Sequence, residues 1–225
     1  MEFGPGFARI FGLASLASLA AAAAAQHVEA GDAGNFPGSA QLVAAGTNTI
    51  VGAIASLDDE DLFRITITDF SQFSATVLGD GGDPLNDSQV FLFDLSGAGI
   101  AHNDDISTVN RSSALAMGNG LYSGLSAGEY LIGVTGWNND PYYAVSPDLE
   151  KIFPDPNYDG GGNGEIVGPR ASAVGQPIIF WDGLLGGQDD GGYRILLTGV
   201  DPVPEPATLS ALALGAVALL RKRRR

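Results

Sequence analysis

Between residues 47 and 200, apolar and polar side chains alternate in short runs, at the two-residue period of strands with one buried face. Phe63, Ile65 and Ile67 alternate with Arg64, Thr66 and Thr68, and Phe73, Ala75 and Val77 repeat the pattern after a turn at Ser71-Gln72. Tyr130, Ile132 and Val134 form a third such run, and Tyr193, Ile195 and Leu197 a fourth. Val90 to Phe93 is apolar at every position, as in a strand covered on both sides. Glycine and aspartate clusters such as Gly79-Asp80-Gly81-Gly82-Asp83 and Gly97-Ala98-Gly99 punctuate the runs as turns. No window between 26 and 200 shows a helical 3.6 period. The pattern predicts an all-β body over 47–200, a β-sandwich of jelly-roll-like character. Residues 26–46 read as a polar leader, either loose or forming a first edge strand. Residues 138–176, rich in glycine and proline, break the rhythm and are predicted as one long loop excursion, either ordered or a mobile flap.

Both ends carry a different pattern. A weakly cationic start, Met1 to Arg9, precedes an apolar run from Ile10 to Ala25 with no polar face beyond two serines. Ala23 and Ala25 supply the small residues of a cleavage site before Gln26, so residues 1–25 are expected to be a signal peptide removed by signal peptidase. Near the other end Val203, Pro204, Glu205 and Pro206 precede a largely apolar stretch, 208–220, and then Arg221-Lys222-Arg223-Arg224-Arg225. Thirteen helical residues rise roughly 20 Å, short of a ~30 Å hydrocarbon core unless the basic stems snorkel. The cations should stay cytoplasmic and leave the body outside. This tail, residues 203–225, resembles the PEP-CTERM sorting signal. The resemblance implies that the short transmembrane segment 208–220 holds the exported protein in the inner membrane until an exosortase cuts near Pro204-Glu205-Pro206. The product would then reach the cell surface or the medium. An uncut tail anchor is the alternative.

Charge narrows the partners. The stretch 26–204 holds 24 of the chain's 26 acidic residues but only five basic ones, Arg64, Arg111, Lys151, Arg170 and Arg194, for a formal charge of −19. Such a surface repels nucleic acid and anionic lipid, so membrane contact is expected only through the tail. With no cysteine and only His27 and His102, disulfides, thiol nucleophiles and most zinc chemistry are excluded.

The body carries a resemblance of its own. Asp59-Glu60-Asp61-Leu62-Phe63, Asp87-Ser88-Gln89-Val90-Phe91-Leu92-Phe93-Asp94, Asn103-Asp104-Asp105, Ala127 to Val134 and Gly192 to Leu197 occur in order. Together they resemble the strand and turn motifs of bacterial pre-peptidase C-terminal domains. That resemblance implies a small non-catalytic β-sandwich of the kind attached to secreted enzymes and surface proteins.

Three chemistries fit the residues to different degrees. Gly124-Leu125-Ser126-Ala127-Gly128 matches G-x-S-x-G, but a strand follows it and His102 is the available base, so a tight turn explains it. Paired carboxylates at Asp58 to Asp61, Asp104-Asp105 and Asp189-Asp190 sit at turns, where aspartate is favoured locally. Calcium is the candidate cofactor. Asp155, Asn157, Asp159 and Gly160 follow the opening of an EF-hand-like loop, with Glu165 one residue short of the closing position. Asp59 and Asp61, joined by Asp104 and Asp105, form a second candidate set. The expected function is that of an exported, non-enzymatic surface or extracellular-matrix protein, with extracellular polysaccharide as a candidate partner. The alternatives are a small secreted hydrolase acting on polysaccharide, or a carbohydrate- or protein-binding module.

Overall fold

A computed structural model describes residues 25–145, 148–155, 164–183 and 189–200. Nearly all the regular structure among them is strand. In chain order the strands are Ala25–Val28 (β1), Gln41–Leu42 (β2), Thr47–Ile54 (β3), Glu60–Ile67 (β4), Ser74–Gly79 (β5), Ser88–Phe93 (β6) and Gly99–Asn103 (β7). Ala114–Leu115 (β8), Gly128–Gly136 (β9), Pro141–Val145 (β10), Asp148–Lys151 (β11), Phe180–Trp181 (β12) and Gly191–Thr198 (β13) complete them. Two five-stranded sheets, ordered β1-β3-β13-β5-β8 and β2-β4-β9-β6-β7, make the predicted sandwich. A third sheet, β11-β10-β12, comes from the excursion.

The alternation read from the sequence is the core. Phe63, Ile65 and Ile67 of β4, Val90 and Leu92 of β6, and Ile132 and Val134 of β9 face Ala75 and Val77 of β5 and Tyr193, Ile195 and Leu197 of β13. Their register follows the pleat, with Phe63 opposite Ile132 across β4 and β9, and Ile195 opposite Val77 across β13 and β5.

The excursion departs from the loop expectation. Within its described part it is an ordered third layer, and it extends past Gln176 to Trp181. Tyr143, Ile152, Phe153, Ala173, Ile178 and Trp181 pack on Leu62, Phe91, Phe93 and Leu131, which point out of the back of the β4-β9-β6 sheet. This is why β6 is buried at all six positions. Most polar groups under the layer find partners: Gln89 Oε1 accepts from Asn139 N (3.1 Å), and Gln89 Nε2 donates to Asp140 Oδ1 (3.1 Å), while Asn139 Oδ1 has none. Lys151 Nζ also donates to Asp140 (2.5 Å), and Tyr142 donates to Asp182 (3.0 Å).

The polar leader is also more than a tether. β1 runs parallel to β3 and β2 parallel to β4, so the leader supplies one edge to each sheet of the sandwich. The segment thus forms edge strands, one of the two readings its sequence allowed, and the parallel pairing is the part its short runs do not reveal.

Candidate metal centre and sorting tail

The leader's return to β3 creates one of two three-carboxylate groups among the described residues. Glu29 follows β1 directly, and Asp32 lies in the turn beyond it. Each offers an oxygen within 4.8 Å of the other and of Asp61 near the start of β4. Both Glu29 oxygens are already oriented, Oε1 by Ala33 N (3.0 Å) and Oε2 by Ala53 N (2.9 Å). Asp32 Oδ1 accepts from Gly34 N (2.8 Å). Asp61 Oδ2 accepts from Tyr193 OH across the sandwich at 2.6 Å, while Asp61 Oδ1 is buried with no hydrogen-bond donor. Gly52 makes room for this convergence, because a Cβ there would stand 2.5 Å from Tyr193 Oη and 2.6 Å from Glu29 Oε2.

Electrostatics asks for a cation or a proton here. Burial pushes Asp61 up to about 8, the Glu29 and Asp59 charges push the same way, and the Tyr193 hydrogen bond opposes them. No ion pair among the described residues engages Glu29, Asp32 or Asp61. A divalent cation would replace the proton on Asp61 and satisfy Oδ1. All three side chains are hard oxygen donors, which suits calcium and not zinc. Asp32 is exposed and Asp61 fully buried, so the site opens to solvent on the leader side.

The other sequence candidates sort differently from the expected grouping. Asp59 is half-buried beside this site, its Oδ2 held by Ala55 N (2.5 Å); burial raises its carboxyl, and Asp32 adds to that. Asp104 and Asp105 instead gather with Asp87, within 4.8 Å of one another. Burial lifts Asp104 to about 8, and the charges of Asp105, Asp87, Asp140 and Asp155 add to it. Asp87 already holds Arg111 at 2.5 Å, a built-in counter-charge that the Glu29 group lacks. Asn103 Nδ2 donates to Glu165 O (3.0 Å), so the described ends of the loop at Asp155 and Glu165 come to the Asp104-Asp105 turn. Asn157 and Asp159 lie outside the described residues.

Ser126 and His102 occupy different settings. Ser126 is exposed in the turn before β9, where its carbonyl accepts from Tyr130 OH (2.7 Å). His102 is buried under the third layer, stacked on Phe91 at 4.4 Å, and burial lowers its imidazole to about 4. Tyr143 and Trp181 are packing residues of that layer, whereas Tyr142 lines an open groove of about 730 Å³ with Leu149, Lys151, Pro154 and Arg170.

Sequence reasoning found Asp61 and missed Glu29 and Asp32. The only advance signal was a pair of acids in a short polar segment, which is indistinguishable from solvated leader.

Residues 202–225 match the PEP-CTERM protein-sorting motif. Comparison with curated proteins and with solved structures returns no match, and the body's resemblance to pre-peptidase C-terminal domains gains no support from it. Among the described residues no helix is long and apolar enough to cross a membrane, and 208–220 lies outside them, as do Ala23 and the Val203 to Pro206 segment. The tail marks an exported protein processed by exosortase, with a C-terminal sorting segment.

Proposed function

We propose that this chain is a non-enzymatic cell-surface or extracellular-matrix protein, released from a transient membrane anchor and carrying calcium at Glu29, Asp32 and Asp61. Signal peptidase would cut before Gln26 and exosortase near Pro204-Glu205-Pro206. The observation that carries the metal part is Asp61 Oδ1, a buried carboxylate oxygen without a donor beside two further carboxylates. A soluble extracellular setting supplies millimolar calcium, which modest sites of this kind take up.

Processing is tested by intact mass of the envelope and secreted forms, in cells with and without the exosortase. The mature form is expected to begin at Gln26 and end near Pro204, and the exosortase-negative cells should retain Arg221 to Arg225. A product that keeps those arginines in both strains would make the tail a permanent anchor.

The groove beside Tyr142 favours a second reading, a carbohydrate-binding module. It places an aromatic ring, an exposed Leu149 and two of the body's five basic residues on one open surface. Retention on an immobilised polysaccharide that is lost in Leu149→Ala and Arg170→Ala would support it. Turnover of a glycan or ester by the purified body would replace both readings with the hydrolase.

A further inference from the structure

The new N-terminus that signal peptidase would expose has its own chemistry. Residue 26 is glutamine, and it is exposed on β1, an edge strand. Glu29 N donates to Val51 O (2.8 Å), which sets the phase of the parallel β1–β3 ladder. Alternate residues bond the partner in such a ladder, so His27 and Glu29 turn their N–H groups toward β3. Gln26 N points away from it, to the open edge. His27 is held on the other side, its ring 5.8 Å from Phe63 and its Nε2 3.2 Å from Gln41 Oε1. Once Ala25 is removed, the α-amine of Gln26 is therefore free of the sheet and one five-membered ring away from its own side-chain amide.

We propose that the mature N-terminus closes to a pyroglutamyl lactam at Gln26. The deprotonated α-nitrogen attacks Cδ, a bond forms between them, the Cδ–Nε2 bond breaks, and ammonia leaves with the displaced nitrogen. No oxidant or co-reactant is needed, and the chain loses one positive charge. The inference rests on cleavage before Gln26. Its consequence is protective. Glu29 lies only three residues in, so an aminopeptidase that trimmed Gln26, His27 and Val28 would reach the carboxylate that Ala33 and Ala53 hold in place. A lactam has no amine for such an enzyme to grip.

The test is tandem mass spectrometry of the N-terminal peptide from the envelope and secreted forms made by cells expressing the full chain. A peptide beginning at residue 26 and lighter by one ammonia is expected, and Gln26→Ser should give the same start with a free amine. A free, stable Gln26 amine would overturn the lactam and leave the cleavage reading standing. A start at any other residue would overturn both. In a second arm, both mature forms are incubated with a broad aminopeptidase. The wild-type N-terminus should stay intact and the Gln26→Ser N-terminus should be shortened; equal survival would remove the protective role.

Discussion

Raising the pH of the metal-free body from about 5 to about 8.5 is expected to lower its melting temperature by roughly 20 °C or more. The sign is set by burial, which raises Asp61 to about 8 and Glu60 to about 7, above the values these groups have in an unfolded chain. Between the unfolded and folded values the native state binds more protons, so this stability is full only below the unfolded values, near pH 4, and drains away as pH rises to the folded ones. Asp104, also raised to about 8, acts in the same window. Each pH unit that separates a folded from an unfolded value is worth about 1.4 kcal/mol, and 1 kcal/mol moves a domain of this size by about 2–4 °C.

Calcium should cancel the part of this slope that belongs to Asp61, and a hundredfold excess over Kd should add about 2.7 kcal/mol of stability. Magnesium should do less, because it demands a regular octahedron of waters and ligands. Asp61→Asn separates the metal from general screening. An asparagine carbonyl still accepts from Tyr193 OH, so the metal-free variant should match or exceed the wild type above about pH 8 while losing the calcium gain. Thermal melts over a pH series, with calcium, magnesium or matched sodium chloride, decide this. Equal effects of all three salts, or a calcium gain that survives Asp61→Asn, would remove the metal from this site.

The second large effect is expected at Phe91. It stacks on His102 and packs against Phe93, Phe153 and Trp181, with Trp181 5.5 Å away edge-on. Phe91→Ala should cost about 3–5 kcal/mol, because the site is closed on both sides and collapses poorly. Trp181→Ala should cost a similar amount, since it also loses the bond from Nε1 to Asn35 O (2.8 Å). As the rings touch, the double variant should cost less than the two singles together. Denaturant melts would show it. A cost under about 1 kcal/mol for Trp181→Ala would mean that the third layer rests on the sheet without being part of its fold.

These two regions also mark where the sequence was readable. The inner face was legible because Phe63, Ile65, Ile67, Ile132 and Val134 recur at a strict period of two, and each lands in the inter-sheet core. The outer layer was not, because Tyr143, Ile152, Phe153, Ile178 and Trp181 are irregularly spaced and separated by prolines and glycines. Val90 to Phe93 did announce a cover on both faces without saying what supplied it. The carboxylate site was half legible. Asp61 stood out in a dense acidic run, but its neighbours come from a parallel edge strand. Such pairings leave no trace in local periodicity. Asp104 and Asp105 were grouped with Asp61 on sequence, whereas the topology delivers them to Asp87 on β6's approach and to the far end of the excursion.

β13 is both the last strand of the body and an interior one, seated between β3 and β5. Only Gly199, Val200 and Asp201 separate it from the start of the sorting motif. For a chain threaded outward N-terminus first, β1 and β3 wait on one side and β5 and β8 on the other until that strand clears the bilayer. The same strand then brings Tyr193 to Asp61. Under the proposed transient anchor, the tail's stay in the membrane would be the interval in which the sheet zips shut. A cut made before β13 docks would set loose two half-sheets with bare edges, the species most prone to pair with its neighbours.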